Sequence, residues 1–284
     1  MRIKLIASDI DGTLINTDHH VSEKTKEVIH RLRDEGIHFV LATGRAFDST
    51  HRIAQQLELE QEDIGMICLN GMHTFNPITK EKRVHDGLNF EEALQFKNLG
   101  EKYHMGVMYC FDNMMYLEMS ERSKEDYANA RGEEVKSYFN FGVGIELIDS
   151  LNDIEEQFEK DQLQKIAFIQ TEDYMSLVID RMKDETNADY TLMQVGPGWT
   201  EVAKSSVNKG AALIDYAAKR GIKPEEIMVF GDSENDISMF KVAGISVAME
   251  NAIGTAKENA THHTISNDDH GVAVFIEDYL NKLD

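Results

Sequence analysis

The chain has 284 residues, 42% hydrophobic and 28% charged with only 3 Pro, a composition that can bury a core and excludes a disordered chain. Lys plus Arg (29) against Asp plus Glu (51) leave a formal net charge of -22, which argues against broad attraction to nucleic acid or to an anionic membrane surface. At this length one large domain or two smaller ones are expected, and an anionic substrate would need locally concentrated positive charge.

The first third reads as strand, helix, strand, helix, strand. Ile3 to Ala7 is a short apolar run that stops at Ser8-Asp9, as a buried parallel strand does, and Gly12 supplies a turn. Ser22 can cap a helix with Val28, Ile29 and Leu32 on one face, ended by Gly36. Ile37 to Leu41 is the next strand, followed by Ala42-Thr43-Gly44-Arg45 and a helix over Phe47 to Leu57. Met66 to Leu69 is a third strand, ending at Asn70-Gly71.

The middle third differs in texture. Val107, Tyr109 and Phe111 alternate before an Asp112-Asn113 turn, and a polar helical stretch is predicted from Ser120 to about Arg131. The segment 84–196 is read as an inserted α/β domain, leaving 1–83 and 197–284 as the core. The five methionines between Met105 and Met119 are expected as core filler, and Cys68 and Cys110 as small buried hydrophobes. The last third returns to alternation: a helix over Lys209 to Arg220, a strand Ile227 to Phe230, a helix after Asn235, a strand Ile245 to Ala248, and a closing helix through Val272, Phe275, Ile276, Tyr279 and Leu280. The expected fold is α/β, a doubly wound parallel sheet with an inserted α/β domain, whose site lies at the carboxyl ends of the strands.

Polar clusters fall at those strand ends. Asp9 and Asp11, alternate residues of an extended segment, can face one site, where a hard divalent cation would relieve their repulsion. Taken alone, the pair also reads as a solvated acidic turn. Thr43-Gly44 offers a hydroxyl and backbone N–H groups beside a helix start near Ala46, a cradle for phosphate oxygens or an ordinary helix cap. Lys209 heads a helix, an unfavourable place for a cation unless it binds an anion, although a solvated surface lysine is the commoner case. Gly231-Asp232-Ser233-Glu234-Asn235-Asp236 follows an apolar strand; Asp232 is a candidate metal ligand, and Asn235 or Asp236 can cap the helix and orient that ligand or Lys209. The histidines show no metal-like spacing, and His19-His20 and His262-His263 are expected in loops. No serine-hydrolase elbow, Walker loop or dinucleotide fingerprint is present.

These clusters, in this order, resemble the haloacid dehalogenase superfamily of phosphatases, and the large insert after the third strand looks like its Cof-type subfamily. The matching segments are Asp9-Ile10-Asp11-Gly12-Thr13-Leu14, Ala42-Thr43-Gly44-Arg45, Val207-Asn208-Lys209-Gly210 and Gly231 to Asp236, with Asn70-Gly71 and Ser266 to Val272. The resemblance implies an aspartyl-phosphate on Asp9, with Asp11 as acid and then base. It implies Mg2+ held by the Asp9 carboxylate, the Asp11 backbone carbonyl and Asp232, with Asp236 in support and Ser233 close by. Ile10, Thr43, Gly44, Lys209 and Asn235 would cradle the transferring oxygens, and the insert would act as a cap that selects a small phosphorylated metabolite, with sugar phosphates foremost. A phosphomutase and a catalytically silent phosphosugar-binding protein are the alternatives. Neither a nucleic acid nor a membrane partner is expected, the protein being a monomer or homodimer. Met1 to Ser8 has too short an apolar stretch for a signal peptide, so a cytoplasmic location is expected.

Overall fold

The computed structural model describes residues 2–112, 114–120 and 144–282. The chain divides into two compact units, one of 1–85 with 207–284 and the other Asp86–Ser206.

The first unit opens with β1 (Leu5–Ser8), every residue of which is buried, and the turn Ile10–Leu14. Helix α1 (Glu23–Asp34) follows; Ser22 Oγ accepts from the Thr25 N–H, and Val28, Ile29 and Leu32 form the buried stripe. Next come β2 (His38–Ala42), α2 (Phe47–Gln56) and β3 (Gly65–Cys68). Short strands β4 (His73–Phe75) and β5 (Lys82–Val84) extend the edge antiparallel to it.

The inserted unit starts with α3 (Phe90–Lys102), held by a capping box in which Asn89 and Glu92 satisfy each other's backbone N–H groups. Its strands are β6 (Gly106–Cys110), β7 (Met114–Glu118), β8 (Gly144–Ile148), β9 (Lys165–Ile169), β10 (Tyr190–Gly196) and β11 (Trp199–Lys204), with α4 (Glu172–Asp184) between β9 and β10. They pair in the order β10-β11-β9-β6-β7-β8. Alternate residues of β6 serve opposite faces: Val107 and Tyr109 join Phe96, Phe168 and Met182 in the larger cluster, while Met108 and Cys110 pack with Met115 and Leu117. Met105, Met108 and Met115 are core residues. Burial pushes the thiols of Cys68 and Cys110 up to about 11 and about 12, so both remain protonated and inert. Most of the polar helix expected from Ser120 to Arg131 lies outside the described residues.

The chain returns through α5 (Lys209–Ala218), β12 (Ile227–Gly231), the short helix Ile237–Phe240, β13 (Ile245–Ala248), β14 (His262–His263) and α6 (Gly271–Leu280). The sheet order is β14-β13-β12-β1-β2-β3-β4-β5, parallel from β14 through β3. Helices α1 and α6 pack together against it. The outcome is a doubly wound core with an inserted α/β domain.

Two expectations change. Trp199–Lys204, expected in the core, pairs with both β10 and β9 and belongs to the second sheet. Pro197-Gly198 is a hairpin turn there, with Gly198 at φ 66. His262 and His263 form an edge strand rather than a loop, paired with Val247 and Ala248. Among the described residues no helix is long and apolar enough to cross a membrane.

Candidate active site

Strand register builds the site. Ser8 stands beside Phe230 on one side and Leu41 on the other, and Ala42 stands beside Ile67. The residues that follow, Asp9, Thr43, Asp232 and the 69–71 loop, therefore emerge at the same edge of the sheet. The loops are stitched to one another: Asp9 N–H donates to Phe230 O (3.1 Å), Asn70 N–H to Thr43 O (3.0 Å) and Leu69 N–H to Arg45 O (3.0 Å).

Asp9 is only 5% exposed, and its Oδ1 accepts from Lys209 Nζ at 2.6 Å. The same ammonium donates to Asp236 Oδ1 at 2.7 Å, with no part of Lys209 exposed, which replaces the surface-lysine reading with a buried ion triad. Asn208 caps the helix that Lys209 heads, its side chain accepting from Ala211 N–H. Asp236 Oδ2 accepts from the N–H groups of Asp232 and Ser233, both 3.0 Å, which fixes the following loop. Asp232 accepts from Thr13 Oγ1 (2.7 Å) and from Ser233 Oγ (2.9 Å).

One carboxylate oxygen from each of Asp9, Asp232 and Asp236 lies within 4.8 Å of the others. Burial pushes the Asp9 carboxyl up to about 8, opposed by Lys209 and reinforced by Asp236. Burial raises Asp232 as well. Burial alone would lower Lys209, yet Asp236 and Asp9 raise it, so it remains an ammonium. Of the three converging carboxylates, Asp9 and Asp236 share one buried cation, while Asp232 is held by hydroxyls. That oxygen-rich donor set, short of positive charge, fits a hard divalent ion such as magnesium.

The Asp11 carboxylate points elsewhere. Its two oxygens accept from Arg45 Nε (2.7 Å) and Nη2 (2.5 Å), so the side chain stands apart from the three-carboxylate cluster. Gly12, at φ 73, has no room for a side chain: a Cβ would lie 2.6 Å from Asp232 Oδ2. Its turn brings Thr13 back to Asp232 and leaves the Gly12 carbonyl to Asn251 Nδ2 at 2.7 Å.

Thr43 is buried, and its hydroxyl accepts from Arg45 N–H at 3.1 Å; it makes no cap to α2, whose N-terminus has no side-chain cap. Asn235 Nδ2 donates to Asn70 Oδ1 (2.9 Å), and its own buried Oδ1 has no partner. Asn70 packs against Gly44, where a Cβ would lie 3.2 Å from its Oδ1. Leu69, Asn70 and Gly71 have φ values of 50, 55 and 100 in succession. Left-handed backbone at two non-glycine residues is stored strain of about 1–3 kcal/mol each, held where the loop must turn into the site. Ile10 is buried within the first turn, with its carbonyl accepting from Ile15 N–H.

Thus Asp9, Lys209, Asp232, Ser233 and Asp236 form one connected cluster. Thr43, Gly44 and Asn235 join through Asn70, and Asp11 joins Arg45. Sequence reasoning missed the parts of Thr13, Arg45, Asn70, Asn251 and Asn267. The first three stand inside recognised segments and could have been read there. Asn251 lies in no motif, and Asn267, whose Nδ2 donates to Ile15 O at 2.9 Å, is in the late loop that braces the first turn.

A family model described as haloacid dehalogenase-like hydrolase matches residues 6–276. The 5-amino-6-(5-phospho-D-ribitylamino)uracil phosphatase YwtE of Bacillus subtilis is 32% identical over 295 residues, covering 98% of this chain and 99% of that protein. The phosphatase YitU of the same organism, named for the same substrate, is 28% identical over 280 residues, covering 98% and 97%. The crystal structure of a haloacid dehalogenase-like hydrolase from Bacteroides thetaiotaomicron superposes with a TM-score of 0.74 at 25% identity, covering 98% of this chain and 100% of that one.

Proposed function

The chain belongs to the haloacid dehalogenase-like hydrolases and is a phosphatase of that family, and from this premise we propose that it hydrolyses small phosphorylated metabolites through a magnesium-dependent aspartyl-phosphate on Asp9. The observation that carries the reading is the buried Asp9 carboxylate, 2.6 Å from Lys209 and grouped with Asp232 and Asp236.

In the first half-reaction an Asp9 oxygen bonds to phosphorus while the bond to the leaving oxygen breaks, and Asp11 gives that oxygen a proton. In the second, water bonds to the same phosphorus, Asp11 takes the water proton, and Asp9 is released as the carboxylate. Two easier displacements replace one difficult one. Asp9, Asp232 and the Asp11 carbonyl would hold the magnesium ion, with Asp236 and Ser233 fixing Asp232 and its loop. Bound, the ion supplies positive charge that keeps Asp9 ionised beside an anionic substrate. Thr43, the N–H groups of Ile10 and Gly44, Asn235 and Lys209 would hold the phosphoryl oxygens, where developing charge is most sensitive to fixed dipoles and cations. The inserted unit is assigned the role of cap, selecting the leaving group and excluding water.

Phosphate esters on a sugar or sugar-alcohol carbon are the proposed substrate class, a reading supported by the ribityl phosphate in the names of two relatives. The test is hydrolysis of a panel of phosphate esters by purified protein, with and without magnesium. Phosphate release from sugar or polyol phosphates, lost on chelation and lost in Asp9→Asn, is expected. Activity indifferent to chelation or to Asp9→Asn would overturn the mechanism, and a preference for nucleotides would overturn the substrate class.

A further inference from the structure

The Asp11 side chain is half exposed on a loop, where an aspartate ordinarily samples several rotamers. Here one geometry is imposed from outside. The Arg45 guanidinium grips both carboxylate oxygens with Nε and Nη2, and its third nitrogen, Nη1, donates to Ser49 Oγ at 3.3 Å in the first turn of α2. Arg45 is itself fixed at both ends of its peptide, N–H to Thr43 Oγ1 and carbonyl from Leu69 N–H. The hydrogen bond to Asp11 strengthens the hold of Arg45 on its proton, as expected of a close charge-assisted fork. Nothing in the phosphoryl-transfer scheme above uses this arginine.

We propose that Arg45 is a positioning residue for Asp11: anchored on α2, on the Thr43 hydroxyl and on the Leu69 N–H, its fork holds the Asp11 carboxylate at one place beside the site, and opening one of the two bonds frees an oxygen to take up from solvent the proton it then gives to the leaving group. The inference rests on the acid/base role assigned to Asp11. Proton transfer demands hydrogen-bond reach, so an unheld Asp11 loses rate in the step that needs its proton and leaves substrate binding intact. An alkyl phosphate expels a poor leaving group that must be protonated, whereas p-nitrophenolate departs without a proton. Arg45 therefore matters for leaving-group departure from one substrate and hardly for departure from the other, whereas the second half-reaction, in which Asp11 takes the water proton, is common to both.

The experiment measures the pre-steady-state rate of leaving-group release, and the substrate concentration that half-saturates it, for an alkyl phosphate and for p-nitrophenyl phosphate, with magnesium, in the full chain carrying Arg45→Met, Arg45→Lys, Asp11→Asn or Asp11→Asn with Arg45→Met. Expected for Arg45→Met is a loss of about 10-fold in the rate of alcohol release, with the half-saturating concentration and the rate of nitrophenolate release changed by less than about 3-fold. Asp11→Asn should lose about 100-fold on the alkyl substrate, and adding Arg45→Met to it should cost less than about 2-fold more, because the two act as one unit. Arg45→Lys should stay well below wild type, since an ammonium cannot span both oxygens. Equal losses in the leaving-group step of both substrates, a raised half-saturating concentration as the main effect, multiplicative losses in the double variant, or a full rate of alcohol release in Arg45→Lys would each overturn the positioning role. Failure of the underlying reading looks different: Asp11→Asn itself would hydrolyse the alkyl phosphate like wild type.

Discussion

Replacing Asp9 by asparagine should abolish turnover and at the same time make the metal-free protein more stable. The carboxyl is 5% exposed and burial pushes it up to about 8, from 3.8 for the ordinary side chain. The native state therefore keeps a proton that the unfolded chain releases near pH 4. Between these values the native protein binds more protons than the unfolded one, so stability falls as pH rises through the window, by up to about 1.4 kcal/mol per pH unit. Near pH 7 the accumulated penalty is on the order of 4 kcal/mol, and asparagine, which mimics the protonated acid and still offers an oxygen to Lys209, escapes it. Lys209 keeps Asp236 as its partner in the variant. Urea denaturation of both proteins with chelator, at several pH values from about 4 to 8, is the assay. The gap in unfolding free energy should be near zero at the acid end, widen with pH in favour of Asp9→Asn, and shrink when magnesium is added, because an ion held at the proposed site would favour the native carboxylate. An Asp9→Asn protein less stable than wild type across this range, or a gap that does not grow with pH, would contradict a proton held on native Asp9.

Lys209→Met removes the only cation hydrogen-bonded to Asp9 and Asp236 among the described residues and leaves both carboxylates buried. Thermal denaturation should show a loss of about 3 kcal/mol, partly restored by magnesium, together with loss of activity. Gly12→Ala places a methyl group against Asp232 and a side chain at φ 73, so magnesium affinity measured by calorimetry should fall about 10-fold or more while the inserted unit's far-ultraviolet signature persists. Tyr109→Phe deletes the hydroxyl that donates to Glu118 at 3.0 Å in the core of the inserted unit. It should lower stability by about 1 kcal/mol in urea and leave p-nitrophenyl phosphate kcat unchanged.

The strand-end clusters were legible because apolar runs of four or five residues followed by polar ones mark parallel strands and their carboxyl ends. Asp9, Thr43 and Asp232 each stand directly after β1, β2 and β12. The interior placement of Lys209 was not legible. Burying an ammonium is tolerable only through Asp9 and Asp236, and the former is 200 residues away in sequence. Asp11 and Arg45 were both visible as residues, but their fork depends on where α2 begins relative to the first turn. The boundary of the insert was misplaced because Gly196-Pro197-Gly198 punctuates a hairpin and a linker alike; only the pairing of Trp199–Lys204 with β9 tells them apart. His262-His263 lacked any apolar run, and its pairing rests on two residues at the sheet edge.

The most direct test of Asp9 as nucleophile is chemical trapping. Protein turning over a sugar phosphate with magnesium is quenched, treated with borohydride and digested, and the peptide carrying residues 5–14 is sequenced by mass spectrometry. An aspartyl-phosphate at Asp9 predicts homoserine at position 9, absent without substrate and absent in Asp9→Asn. Homoserine at another aspartate, or an unmodified Asp9 in protein that is visibly releasing phosphate and trapped under conditions that convert acyl phosphates, would contradict it.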